Sequence, residues 1–264
     1  MILTDSLRQE LDNIAEVAGY LWQKGWAERN AGNISVNVTE MVDASARELP
    51  AIATYQLPRE LPELAGDFFY VTGTGRRMRD VAKAPLCQGA IVRIAPDGRS
   101  YDIVADSDIK PTSELPSHLC IHRSFKQKGN GYRIVLHTHP TDLLAMTHNP
   151  SLNSTEALTR TLWAMHPETF IVVPKGVGLV PYEVPGSLDL ADLTLRQLEN
   201  HDFVAWEKHG FLGTGRDLLE TFDLIDTLSK SAQTYFLCKQ AGFEPEGLTD
   251  EQIRGLIVPF GIVL

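Results

Sequence analysis

Arg133-Ile134-Val135-Leu136-His137-Thr138-His139 is the stretch on which the reading of this chain turns. Its first half is filled by β-branched and aliphatic residues, the composition of a buried strand. Its last three residues alternate His-Thr-His. Successive side chains on a strand point to opposite faces, so His137 and His139 share one face and can reach one cation. Neutral imidazole suits zinc, and a catalytic zinc usually keeps three protein ligands and an open fourth position. A third ligand must therefore come from elsewhere in the chain.

His209 is the best candidate for it. It follows a strand-like run at 203–206 and precedes Gly210, in a stretch punctuated by glycines that reads as a loop over 209–213. Loops at strand ends are where functional side chains are usually presented. The alternatives stay open at this point. Two histidines on a strand also suit an ordinary core or surface, and His118 and His122, four apart on one expected helix, form a competing pair. That pair could bind a metal by helical spacing or simply share a helix face. His148, His166 and His201 have no partner in a recognisable pattern and read as structural or surface residues.

Working outward, Leu7, Leu11, Ile14, Val17, Ala18 and Leu21 recur at helical spacing, with Asp5 or Ser6 as cap and Gly25 at the end. Residues 34–38 alternate as a strand. Residues 40–66 are acidic and contain prolines, and read as a surface excursion. Strands are expected at 68–72 and on either side of Pro96-Asp97-Gly98, a hairpin signal. Pro111-Thr112-Ser113 opens a helix running to about residue 125, which puts Glu114 in its first turn. Further helices are expected near 140–147, 154–164, 187–200 and 217–241, with strands at 170–173 and 203–206. Strands joined by hairpins and mixed with helices predict an α/β protein, with layers packed on a central, largely antiparallel sheet. No composition break or repeat divides the 264 residues, so one domain over 1–264 is expected.

Composition narrows the function. With 24 basic and 34 acidic residues the net charge is −10, the wrong sign for a general nucleic-acid binder. A small anionic substrate remains compatible, because a few amides and one metal ion can hold a phosphate. Cys87, Cys120 and Cys238 form no CxxC pair, which predicts a reduced protein without a disulfide framework. The N-terminal residues lack the pattern of a signal peptide, and no apolar run approaches the roughly 20 residues of a membrane span. A cytoplasmic protein is expected.

Three segments suit an anion. Asn30-Ala31-Gly32-Asn33 offers short amide side chains, Thr72-Gly73-Thr74-Gly75 sets hydroxyls among glycines, and Thr112-Ser113 lies at a helix N-terminus. None matches a P-loop or dinucleotide fingerprint. Glu114 has two readings: an acid complementing the helix dipole, or a general acid/base beside the metal. On these residues alone the dipole reading prevails.

Taken in order, Trp26-Ala27-Glu28-Arg29-Asn30-Ala31-Gly32-Asn33, Val71-Thr72-Gly73-Thr74-Gly75, Pro111-Thr112-Ser113-Glu114-Leu115-Pro116-Ser117-His118 and His137-Thr138-His139 resemble the class II sugar-phosphate aldolases. Pro174-Lys175-Gly176-Val177-Gly178, His209-Gly210 and Glu220-Thr221-Phe222-Asp223-Leu224-Ile225-Asp226-Thr227 continue the match over nearly the whole chain. The first and last of these motifs are most similar to the rhamnulose-1-phosphate aldolase branch. The resemblance implies the α/β/α layered fold shared with adducin and the metal-dependent, reversible cleavage of a phosphorylated ketose. It also implies one Zn2+ per subunit on His137, His139 and His209, and Glu114 as catalytic carboxylate. Phosphate contacts are implied for Asn30, Gly32, Asn33, Thr74, Gly75, Thr112 and Ser113. A homotetramer is implied, with active sites at subunit interfaces and Glu168 as a second glutamate supplied by the neighbouring subunit. Ala31 stands where the pattern has a second glycine, and Thr74 where it has serine. Fuculose-1-phosphate aldolases, pentulose-phosphate 4-epimerases and non-catalytic adducin-like modules share the scaffold and are the alternatives.

Overall fold

A computed structural model of the protein describes residues 3–104 and 108–263. Nine strands form one sheet: β1 Asn33–Asn37, β2 Ala53–Gln56, β3 Phe68–Thr72, β4 Gly89–Ile94, β5 Ser100–Ile103, β6 Ile134–Thr138, β7 Val177–Val180, β8 Phe203–Trp206 and β9 Gly210–Gly215. Their order across the sheet is β2-β5-β4-β3-β1-β6-β9-β8-β7. Every pairing is antiparallel except β7 with β8, which run parallel. Parallel neighbours need a crossover between them, and residues 181–202 supply it through a helix.

Helices cover both faces, as the α/β/α expectation required. On one side lie α1 Asp5–Gln23, the short α2 Met78–Val81 and α3 Pro85–Gln88, and on the other α4 Leu115–Lys128. The first side also carries α5 Thr141–Met146, α6 Thr155–Met165, α7 Pro167–Val172 and the long α9 Leu218–Gln240, whereas α8 Leu188–Gln197 packs beside α4. The strands divide their side chains between these layers with period two. Ile34, Val36, Ile134, Leu136 and Phe211 enter the core under α1 and α9. Val135, Val204, Trp206 and Leu212 enter the core under α4 and α8. Each fully buried aliphatic side chain contributes about 1.5–3 kcal/mol. A register slip of one residue would reverse the faces of a whole strand, so the pairing is tightly specified.

Three expectations are corrected. Residues 40–66 are more than a surface excursion, because β2 forms the sheet edge against β5. Its alternation of exposed and half-buried positions is an edge pattern that the surrounding polar composition obscured. Residues 170–172 are helical and Val173 caps them: Pro167 opens α7, and Thr169 is held to Ser231 of α9 by a 2.6 Å hydrogen bond. The aromatic and β-branched residues there favour a strand only locally, and packing on α9 overrides that preference. The cap of α1 is Thr4, whose hydroxyl accepts from the Leu7 amide, in place of Asp5 or Ser6.

His118 and His122 occupy the sheet-facing side of α4, and the Ser35 hydroxyl links their rings at 2.7 and 2.8 Å. A hydroxyl can donate to one ring and accept from the other, so the trio is a buried polar clasp between β1 and α4. Burial holds His118 down to about 4, opposed in part by Glu114, and burial next to His118 holds His122 well below the ordinary imidazole range. Both rings are therefore neutral in the fold and gain protons on unfolding below pH about 6.5. Stability is fully present above that pH and is lost as pH falls toward 4, at a slope approaching about 1.4 kcal/mol per pH unit for each ring. His118→Asn, which keeps a polar atom near the Nδ1 position, should flatten the pH dependence of the urea-unfolding free energy in this window. An unchanged slope would contradict the assignment.

Candidate metal centre and active site

Antiparallel pairing brings the ends of several strands to one end of the sheet. Asn33 at the start of β1 lies opposite His137 near the end of β6, and His137 lies opposite Leu212 of β9. His209 sits at the β8–β9 turn, where Lys208 adopts a positive φ of 58°. Residues 210–215 are strand, not the loop expected from their glycines. Gly210 has a packing reason: a Cβ there would sit 2.7 Å from both the His137 and the His139 ring and 2.9 Å from the Thr138 carbonyl.

His137, His139 and His209 each bring a ring nitrogen within 4.8 Å of the others. Their hydrogen bonds fix the chemistry of two of those nitrogens. His137 Nδ1 donates to the Phe211 carbonyl at 3.1 Å, because a carbonyl only accepts. His139 Nδ1 donates to Glu28 Oε1 at 2.9 Å. When both rings are neutral their Nε2 atoms are lone-pair acceptors, and they face each other at 3.2 Å. Two lone pairs at that distance repel unless a cation lies between them. Burial, reinforced by His139 and His209, pushes His137 well below its ordinary range. Burial lowers His209 as well, against the opposing charge of Glu114. Three imidazoles that bring ring nitrogens together, two of them oriented through Nδ1, are the donor set of a borderline-soft metal ion.

Glu114 completes the group. It is the residue just before α4, not in its first turn, and its side chain makes no capping bond. The carboxylate instead accepts from Asn33 Nδ2 at 2.8 Å and stands 3.9 Å from both His137 Nε2 and His209 Nε2. A hydrogen bond to an ionised carboxylate is worth about 1.5–3 kcal/mol. Orientation is the larger gain, because the carboxylate is only 8% exposed and has one open direction, toward the histidines.

These groups line a cleft of about 380 Å³. Asn30, Gly32, Asn33, Thr74, Gly75, Thr112 and Ser113 line it too, so the three anion-suited segments converge. The Thr72–Gly73 end of β3 is joined to Pro111 and Thr112 by a Gly73–Pro111 bridge and a 2.9 Å bond from the Thr112 amide to Thr72. Gly32 has a φ of 76°, and a Cβ there would lie 3.0 Å from the His137 carbonyl. Arg29 brings a positive charge to the same rim. Glu168 is not part of this cleft; it is exposed in the first turn of α7. The structure also removes the competing pair, since His118 and His122 point into the core beside Ser35.

The sequence pattern described as Class II Aldolase and Adducin N-terminal domain matches residues 12–236. The chain belongs to the class II aldolase family. Similar relatives include a rhamnulose-1-phosphate aldolase of Bacteroides thetaiotaomicron, 46% identical over 97% of this chain and 96% of that protein. Another, from Listeria monocytogenes, is 34% identical over 96% and 93%. A solved sugar-phosphate aldolase from Thermotoga maritima matches with a TM-score of 0.79 at 32% identity, covering 92% of this chain and all of that one. An L-fuculose 1-phosphate aldolase shares the fold, with a TM-score of 0.62 at 20% identity and 98% coverage of both chains.

Two residues of this aldolase's site escaped the reading of spacings. Glu28 orients His139 from the loop after α1, which the Trp26 carbonyl ties to β6 by accepting from the His139 amide and the Thr138 hydroxyl, each at 2.9 Å. Trp206 lies against the rings of His137 and His209. No local pattern marks either one, because each acts across a tertiary contact. Replacing Gly210 by alanine should leave the protein folded but lower its zinc affinity at least tenfold, by the crowding of both rings. Zinc competition against a chromophoric chelator would show this, and wild-type affinity would contradict it.

Proposed function

We propose that this aldolase reversibly cleaves L-rhamnulose 1-phosphate to dihydroxyacetone phosphate and L-lactaldehyde, a step of rhamnose breakdown, using one Zn2+ per subunit. The reading rests on one conjunction. Three imidazoles and an oriented carboxylate meet in a cleft whose rim suits a phosphate, in a chain 46% identical to a protein named for that activity. The fuculose 1-phosphate enzymes match this chain at 20% identity or below, a likeness that carries the fold alone.

His137, His139 and His209 would hold the zinc, which supplies Lewis-acid stabilisation of the negative charge left on the three-carbon phosphate half. In the cleavage direction the C4 hydroxyl loses its proton, the C3–C4 bond breaks and its electron pair passes to C3. Glu114 would give C3 a proton and remove it in the reverse direction, with Asn33 holding its carboxylate. Asn30, Gly32, Asn33, Thr74, Gly75, Thr112 and Ser113 would anchor the phosphate through amides and hydroxyls. Glu168 of the partner subunit is assigned to the C4 hydroxyl proton, which calls for a homotetramer with sites at its interfaces. The whole chain, 1–264, would then be one catalytic domain working in the cytoplasm. No helix among the described residues is long and apolar enough to cross a membrane.

Turnover of L-rhamnulose 1-phosphate, followed by release of dihydroxyacetone phosphate, should be abolished by a chelator and restored by zinc. L-Fuculose 1-phosphate should turn over far more slowly, and equal rates on the two sugars would overturn the substrate assignment. Glu114→Gln, which can still accept from Asn33, should retain zinc and lose about 10²–10⁴-fold in kcat, the range for a general acid/base. A kcat within a few-fold of wild type would remove Glu114 from the mechanism.

A further inference from the structure

The three histidines are not held in the same way. His137 is oriented through Nδ1 by the Phe211 carbonyl and His139 by Glu28, but His209 Nδ1 is buried with no hydrogen-bond partner among the described residues. A histidine that binds a metal almost always donates its other ring N–H to an oxygen, which fixes the ring's rotation and tautomer. Something else must do this for His209.

Trp206 is the group in place. Its ring is stacked on His209, with centroids 5.1 Å apart and planes 29° apart, and it also touches His137 at 4.6 Å. The indole itself has little freedom. It is 2% exposed, and its Nε1–H donates to Thr194 Oγ1 at 2.9 Å. Thr194 is fully buried in α8, and its hydroxyl donates in turn to the Leu190 carbonyl at 2.6 Å. A chain of two hydrogen bonds thus fixes the plane of Trp206 from the helix layer. The indole face carries that orientation to His209 by stacking.

We propose that Trp206, fixed by Thr194, is the positioning residue for His209 and takes the place of the hydrogen bond that its Nδ1 lacks. This rests on the reading of the three histidines as zinc ligands. It locates a determinant of metal affinity in α8 and β8, outside the ligand set.

The test measures zinc affinity of the full chain by competition with a chromophoric chelator, alongside the visible spectrum of the Co2+-loaded protein. Wild type should bind one zinc. Trp206→Leu should bind about 10–100-fold more weakly, the range for groups that orient a metal ligand, with a shifted Co2+ spectrum. Trp206→Phe retains an aromatic face and should lose much less, and Thr194→Val should loosen the indole and fall between the two. Phe and Leu variants that weaken equally would show a packing effect without a role for the stack, and overturn the proposal. So would wild-type affinity in the Leu variant, or in the Phe and Val variants together with an unshifted Co2+ spectrum if the Leu variant does not fold. Absence of zinc binding by wild type would instead refute the ligand assignment itself.

Discussion

Two imidazole lone pairs held 3.2 Å apart in a buried place are an unfavourable arrangement, and much of the site can be understood as what enforces it. The Phe211 carbonyl and Glu28 set the tautomers, and a missing side chain at Gly210 leaves room for the rings. Burial pushes His137 well below the ordinary imidazole range. Such a cluster is strained without a cation and stabilised by one. Binding energy and folding energy are coupled in it, as they are at metal sites generally.

The sheet is what makes the arrangement affordable. Because β1, β6 and β9 are adjacent and antiparallel, the start of β1, the end of β6 and the turn before β9 coincide. Asn33, His137 and His209 come from three distant parts of the chain, yet a single register sets all three. The same register places Ser35 two residues along from Asn33, facing His118 and His122, one and two turns of α4 below Glu114. The clasp that joins α4 to β1 in the core is thus continuous with the Asn33–Glu114 bond at the cleft. A polar core contact and a site contact are rungs of one ladder.

Much of the fold was legible in the sequence, because alternation and helical spacing are local. The α1 face, the β4–β5 hairpin and the long α9 follow from periodicity alone. Where the reading failed, a distant contact decided. Thr169 finds Ser231, residues 170–172 become helical, and β2 is recruited from a polar stretch by β5. The candidate site divides in the same way. His137 and His139 share a strand face and can be paired from spacing. His209 could be favoured but not chosen, and Glu114 read as a dipole partner until Asn33 was seen to hold it. Glu28 and Trp206 carry no local signal at all, since their partners lie 111 residues away and across a hairpin turn respectively. The carry-over from family motifs supplied what spacing could not.

X-ray absorption at the zinc edge of the loaded protein tests the central claim most directly. The account predicts three imidazole nitrogens at about 2.0–2.1 Å with the remaining coordination from oxygen, and one fewer imidazole in His209→Ala. A sulfur in the coordination shell, or an unchanged shell in that variant, would contradict it.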